Sequence, residues 1–512
     1  MIALFSIIFM CSNNEGASPM RSTDYYAAID LGSNSFHMLV VRLVAGSVQV
    51  VSKIRRKVRL ASGLQEDGSL DAEARKRALD CLAIFADRVN DIAPENITAV
   101  GTATLRKLKD SDPFLTQVRE TLGHPLRIIS GEEEAATIFQ GIAHTTAYHG
   151  RMLAIDIGGA SSELALGQGF QPNILRSLDF GCVTWINRFF ADSEITEHNC
   201  AAAIAEVERI VNTHAKPYKE HGWDTALGAS GTFKALQEIA QERRMPERIT
   251  LPWLEQLLSE SIQHGNIDML NLHGLKESRK PTFISGLCIL IGIFRGLQLT
   301  TIEATEGALR EGLIYGMLAE LQHSDVQLRT LDSLVRTYHL DQHQAARVHK
   351  VALNYYQQAP QHWCELAKDE ALNLIRAVSY LHEIGLSLSY QHASSHGHYL
   401  LANSNLPGFN ARQREHLLTL VQAIAGIIDD DEQPENLPEH LLLARLARLL
   451  RLAVLACQRR NDAMIAEASL SIEEDEIVLS FPEGFLEQNP YLSSLYQSES
   501  EWQQQFGGLR LG

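Results

Sequence analysis

Apolar and polar positions follow a strand period at the start of the chain and a helical one at its end. Apolar residues 25–31 and 36–42 flank Gly32-Ser33-Asn34-Ser35, which predicts a hairpin over 25–42, followed by a further strand reaching Leu60. A 3.6-residue period over 70–89 predicts an amphipathic helix, and apolar runs at 97–103 and 126–130 predict short strands. A second hairpin pattern opens at 152–166, and strand and helix patterns alternate from there to about Leu318, which reads as α/β. Beyond Gln322 the strand signals stop, and leucine, alanine, arginine and histidine recur at helical spacing as far as Arg460. The tail, 469–512, holds one alternating run at 476–481 and is expected to form a small strand-containing unit. The expected divisions are an extension at 1–24, half-domains at 25–138 and 139–320, a helical domain at 321–465 and a small C-terminal domain at 466–512.

The two hairpins are near copies. AAIDLGSNS at 27–35 recurs as LAIDIGGAS at 153–161, with an Asp and then a tight small-residue turn in each. Small residues at Ser33, Asn34 and Ser35, and at Gly158, Gly159, Ala160 and Ser161, let backbone N–H groups turn inward toward phosphate oxygens, and the hydroxyls add donors. A duplicated turn suggests two half-domains facing each other across a cleft that holds a phosphate chain. Neither copy matches G-x-x-x-x-G-K-[ST] or G-x-G-x-x-G, so P-loop and dinucleotide-binding readings are poor.

Asp156 and Glu163 lie seven residues apart on opposite arms of the second hairpin, where hard carboxylate oxygens could anchor Mg²⁺. Asp30 has the same place in the first copy, and His37 stands where the second has Glu163. Ser130 and Glu133 match a helix capping box, and Glu132 reads as a solvated acid of the first turn. Glu134 instead shares a helix stripe with Ile138 and Gly141, so it can face the cleft as a general base for water. Arg106, closing the small-residue strand GTATLR, could hold a terminal phosphate bidentately.

Three further features bear on anions or metals. Lys53, Arg55, Arg56, Lys57 and Arg59 make five of the seven residues at 53–59 basic; the run lines a groove or protects an edge strand. Ser230, Gly231 and Thr232, within GASGTFK at 228–234, open a helix and suit an anion, whereas GALREG at 307–312 reads as close helix packing. His382-Glu383, with His392, His396 and His398 beyond, is expected to be scaffold rather than a metal site.

At 512 residues the chain is expected to form two to four domains. Its 62 acidic and 45 basic residues give a net charge of −17, which disfavours nucleic acid and acidic membranes as partners, so a polyanionic substrate must be captured locally. Seven scattered cysteines without a C-x-x-C pair indicate a reducing, cytoplasmic setting. The apolar start lacks a basic leader, so translation is expected to begin at Met20, with an export signal as the alternative. Long apolar helices beyond residue 320 suggest a homodimer.

In the stretches AAIDLGSNSFHMLVVR, GTATLR, ISGEEEA, LAIDIGGASSEL, FGCVTW, GASGT and GALREGLIYGML, and more loosely in HEIGLS and LPGF, the chain resembles the Ppx/GppA phosphatase family of exopolyphosphatases and guanosine pentaphosphate phosphohydrolases. The resemblance implies duplicated actin/Hsp70/sugar-kinase-like (ribonuclease H-like) domains, then an all-α HD-like domain without a metal site and a small α+β unit. It implies phosphate contacts at Ser33, Asn34, Arg106, Gly158, Gly159 and Ser161, Mg²⁺ at Asp156 and Glu163, and the catalytic base at Glu134. Ala160, where many exopolyphosphatases have Gly, and Val183-Thr184-Trp185 look more like the pentaphosphate branch. On that branch the implied reaction is hydrolysis of guanosine 5'-triphosphate 3'-diphosphate (pppGpp) to ppGpp and phosphate in the stringent response. A processive exopolyphosphatase, a sensor without turnover and a kinase of the same fold group are the alternatives.

Overall fold

A computed structural model describes residues 25–512 apart from 66, 110–112, 147, 149, 247, 319–320, 322–324, 364–367, 425–426, 428–435 and 466. The expected extension at 1–24, with the start at Met20, lies outside the described residues, as do Cys11 and Cys364.

Two sheets repeat one topology. In the first, Tyr25–Leu31 (β1), Ser35–Val44 (β2) and Ser47–Lys57 (β3) form an antiparallel meander, and Ile97–Gly101 (β4) and Leu126–Ile128 (β5) join in parallel, in the order β3-β2-β1-β4-β5. In the second, Arg151–Ile157 (β6), Ser162–Gln168 (β7) and Gln171–Leu178 (β8) form the meander. Thr225–Ala229 (β9), Arg248–Thr250 (β10) and Thr301–Ala304 (β11) complete the order β10-β11-β9-β6-β7-β8, with β9 and β11 parallel and β10 an antiparallel edge. The registers also repeat, since Asp30 is paired with His37 across β1 and β2 as Asp156 is with Glu163 across β6 and β7.

Between the sheets lie the helices Gly131–Thr145 and Leu309–Met317, the first of which runs through the expected division at 138. Ala28, Leu39 and Val100 from one sheet and Ala154, Ala165 and Leu227 from the other share a core with Ile138, Phe139, Leu313 and Ile314 of these helices. Their backbones touch because the contact residues are glycines: a Cβ on Gly141 would lie 2.1 Å from the Ala308 carbonyl oxygen, and one on Gly312 would lie 1.9 Å from that of Thr137. The packing expected for GALREG is thereby realised. Behind the second sheet, Lys280–Leu297 packs on Glu197–His221, with Gly292 against Val207 and Gly296 against Val211. That helix is long and apolar enough to cross a membrane, yet most of it is buried in this core.

Several boundaries differ from expectation, each for a local reason. The strand expected to reach Leu60 stops at Lys57, because Arg59 turns left-handed (φ 53°) and the following residues bond to the first turn. The first helix begins at Ala72, capped by Asp71, whose carboxylate accepts the Ala74 N–H at 2.6 Å. GTATLR does not end in a strand: after Gly101 the chain turns into a short helix, Ala103–Arg106. Ser130 does cap its helix, accepting the Glu133 N–H at 3.1 Å, but the Glu133 carboxylate pairs with Arg127 at 3.0 Å, so the box is half-formed.

From Val326 to Ala456 the described elements are helical, and the tail adds a sheet of Ser469–Glu473 (β12), Glu476–Ser480 (β13) and Leu509–Leu511 (β14) in the order β12-β13-β14. Leu470, Ile477, Leu479 and Tyr496 of the tail share one core with Leu446, Leu450 and Val454 of the helices. Within the helical domain the Glu383 carboxylate takes a guanidinium, that of Arg460, and the buried His382 holds the Ser379 carbonyl through Nδ1 at 2.8 Å.

Candidate active site

The two hairpin turns have the same backbone form. A Cβ on Gly32 would lie 2.9 Å from the Ser35 carbonyl oxygen, and one on Gly158 would lie 2.9 Å from that of Ser161, so a side chain is excluded at both. In each turn the carbonyls are taken by a later segment. Arg59 N–H donates to Asn34 O (2.8 Å) and Ala61 N–H to Ser33 O (2.9 Å), just as Cys182 N–H donates to Gly158 O (2.9 Å) and Val183 N–H to Gly159 O (2.8 Å). With these acceptors occupied, the turns have N–H and hydroxyl donors left to offer an anion.

The turns face each other. The Cβ position of Gly159 lies 3.4 Å from the Cβ atoms of both Ser33 and Asn34. Around this meeting point is a cavity of about 430 Å³, and it is lined by twelve of the fourteen residues expected to act as base, phosphate ligand or metal ligand: Ser33, Asn34, Ser35, Glu134, Asp156, Gly158, Gly159, Ser161, Glu163, Ser230, Gly231 and Thr232. Ser230 holds a backbone conformation (φ 116°) normally left to glycine while its hydroxyl accepts the Thr232 N–H at 3.2 Å, which fixes the third turn at the cavity wall.

Arg106 and Ala160 are not on the wall. Arg106 donates from Nη1 to Glu134 Oε2 at 2.8 Å and to the Ile129 carbonyl at 3.0 Å, so its guanidinium holds the carboxylate expected to act as base. Ala160 is buried, and its N lies 2.6 Å from where a Cβ on Gly181 would stand, so it serves the packing of that glycine against the turn.

Four carboxylates converge here. Burial pushes Glu134 up to about 7, opposed by its bond to Arg106 and reinforced by Asp30 and Asp156. Asp156 is also pushed up to about 7, chiefly by burial and then by Asp30, against the opposing charge of Arg310. Glu163 is raised by burial and by Glu134 and Asp156, although Ser177 Oγ donates to its Oε1 at 2.8 Å. The Oδ1 atom of Asp30 is buried without a hydrogen-bond partner, while its Oδ2 lies 3.2 Å from His37 Nδ1. Hard oxygen donors whose charges repel one another in a buried site are suited to a divalent cation. Among the described residues no group of three or more His, Cys, Asp or Glu side chains forms a complete metal cage. Mg²⁺ needs none, since it binds through one or two carboxylates and completes its shell with water and substrate phosphate.

A model of the Ppx/GppA phosphatase family matches residues 39–321, and one of that family's domain III matches 326–500. The chain belongs to the Ppx/GppA phosphatase family. It is similar in structure to a Ppx/GppA family member from Aquifex aeolicus (20% identity, TM-score 0.51, covering 59% of this chain and 99% of that one). It is likewise similar to an exopolyphosphatase from Cytophaga hutchinsonii (23% identity, TM-score 0.53, covering 58% of this chain and 98% of that one). At these identities the likeness establishes the fold, a duplicated actin-like pair of domains, and membership of the family makes the chain a hydrolase of the phosphatase type.

For a Ppx/GppA phosphatase the cavity has a cationic side that sequence reading only partly anticipated. Arg55, Arg279 and Arg310 converge on it from β3, from the turn before Lys280–Leu297 and from the start of Leu309–Met317. Burial lowers the affinity of Arg55 for its proton, and the charges of Arg279 and Arg310 lower it further, so the three guanidiniums are close enough to repel. The alternation of β3 also resolves the basic run: Lys53 and Arg55 line the cavity, Arg56 does not, and β3 is an edge strand as well. Arg310 is the one cation in GALREG, a stretch read from sequence only as close helix packing; Arg279 lies in no recognisable motif and is brought in by tertiary packing beside Gly231.

Proposed function

We propose that this chain hydrolyses the terminal 5'-phosphate of pppGpp to give ppGpp and phosphate, with Mg²⁺ as cofactor. One observation carries the reading: Glu134, buried and poised near 7, lines the same cavity as the two facing donor turns. Near neutral pH such a carboxylate is a competent base.

Glu134 takes a proton from a water molecule whose oxygen attacks the terminal phosphorus. The bond from that phosphorus to the bridging oxygen breaks, and the chain leaves one phosphate shorter. Ser33, Asn34, Gly159 and Ser161 supply donors to the equatorial oxygens, where charge accumulates in the transition state. Arg55, Arg279 and Arg310 attract the phosphates that do not react. Asp156 and Glu163 would hold Mg²⁺, which when bound neutralises phosphate charge. Arg106 holds Glu134 in its ion pair and so positions the base. Ala160 and Val183-Thr184-Trp185 favour the pentaphosphate branch over an exopolyphosphatase, whose chemistry would otherwise be the same.

The test is phosphate release from pppGpp, GTP and long-chain polyphosphate, side by side with Mg²⁺. Turnover of pppGpp above that of polyphosphate is expected, and the reverse order would reject the branch. Glu134→Gln should lose about 10²–10⁴-fold in kcat while still binding pppGpp. Undiminished turnover in that variant would remove Glu134 as the base.

A further inference from the structure

A second cavity, of about 740 Å³, adjoins the first and shares Lys53, Lys234, Gln237, Thr305 and Glu306 with it. Its walls come from three parts of the chain. β2 and β3 contribute Leu39, Val41, Val48 and Val50, the second half-domain contributes Gln237 and Gln241, and the helical domain contributes Asn405, Phe409, Asn410, Arg414 and Leu418.

The helical wall is held rigidly. Thr330 Oγ1 donates to the Pro407 carbonyl at 2.7 Å, Gln327 Nε2 donates to that of Gly408 at 2.8 Å, and Gly408 N–H donates to Thr145 O at 3.3 Å. The loop that closes the cavity is therefore tied to the helix that carries Glu134.

Charge decides what can enter. Four basic side chains face five carboxylates in these walls. Two of the bases are already engaged, Lys53 with Glu311 at 3.8 Å and Lys276 with Glu238 at 2.9 Å. With Glu303 paired to Arg248 at 3.1 Å, the unpaired charges balance, so a polyphosphate tail, with a charge on every unit, would meet no excess of cations and a wall of valine and leucine. An uncharged heterocycle on a sugar would meet apolar surface with a few amide and carboxylate groups at its edge, and the volume lies within the ~300–1,000 Å³ typical of small-molecule sites.

We propose that this second cavity receives the nucleoside of a nucleotide whose 5'-phosphates occupy the catalytic cavity, base inward, with the 3'-diphosphate of pppGpp kept at the shared rim beside Lys53 and Lys234. The inference rests on the phosphohydrolase reading above and deepens it. The helical domain then acts as one wall of the substrate site, selecting nucleotides over inorganic chains.

The experiment fills the cavity from opposite sides in the full-length protein. Val50→Trp lies on a strand where an aromatic side chain is well tolerated and the native residue is 41% exposed; Leu418→Trp approaches from the helical domain. Each variant, with thermal unfolding checked against the parent, is assayed with GTP, pppGpp and long-chain polyphosphate. In variants that unfold like the parent, KM for both nucleotides should rise about tenfold or more with kcat little changed, while kcat/KM for polyphosphate stays within about twofold. Unchanged nucleotide KM in both variants, or an equal loss on polyphosphate and nucleotides, would overturn the nucleoside pocket. A parent protein that releases phosphate from none of the three would instead sink the phosphohydrolase reading.

Discussion

Glu134 owes its poise to two opposed effects, burial that favours the neutral acid and the Arg106 guanidinium that favours the anion. As a base it works only when ionised, so kcat/KM should climb as pH rises through about 7. Arg106→Gln removes the stabilising cation and leaves burial, Asp30 and Asp156 unopposed, so the acid limb of the pH–rate profile should move to higher pH; a limb that stays in place would show that the pair does not tune the base. The same groups link stability to pH. Glu134 and Asp156 both have folded values near 7, above their ordinary 4.5 and 3.8, so between those values and about 7 the folded state holds more protons than the unfolded one. Stability of the metal-free protein should therefore fall as pH rises across that window. Melting temperatures in a chelator at pH 5.5 and 8 check the sign, and Mg²⁺ should flatten the difference. At this scale the sequence was informative about residue type, since Asp156 and Glu163 could be paired from their spacing alone. That Arg106 grips Glu134 was not readable, because residues 28 positions apart on separate helices are brought together only by tertiary packing.

Glycine sets how elements meet. The helices Gly131–Thr145 and Leu309–Met317 pack backbone to backbone, and Gly312→Ala would drive a methyl group into the Thr137 carbonyl oxygen, 1.9 Å away. Separating the helices should cost about 1–3 kcal/mol, read from urea denaturation. Gly316→Ala, on the same helix but with no described residue within 4 Å of the new methyl, should be neutral or stabilising by up to about 1 kcal/mol. If the two variants lost stability equally, close approach would not be the reason for Gly312. Periodicity revealed the hairpins and the first helix, yet it placed GTATLR in a strand and extended β3 by three residues. Both departures lie where the chain leaves a sheet, and hydrogen bonds to the first turn decided the second of them.

Across the whole molecule the helical domain and the tail are joined by buried charge. Arg451, fully buried, forks onto Glu499 at 2.8 and 2.7 Å, lies 3.8 Å over the Trp502 ring and donates to the Ala423 carbonyl. Arg448 beside it donates to Gln503 and to the Asp475 and Gly508 carbonyls. Glu499→Ala would leave a buried guanidinium without its carboxylate and should destabilise by about 3–5 kcal/mol in chemical denaturation. Little change would mean that the tail docks through its apolar contacts alone. The sequence by itself determined the duplicated turns, the carboxylate positions and the change from α/β to helical texture, because these are encoded in short-range spacing and in steric demands on single residues. Only the tertiary structure decided that the turns touch, that three arginines converge beside them and that the helical domain walls a second cavity. Each of these depends on contacts between residues far apart in the chain, and neither periodicity nor composition carries that information.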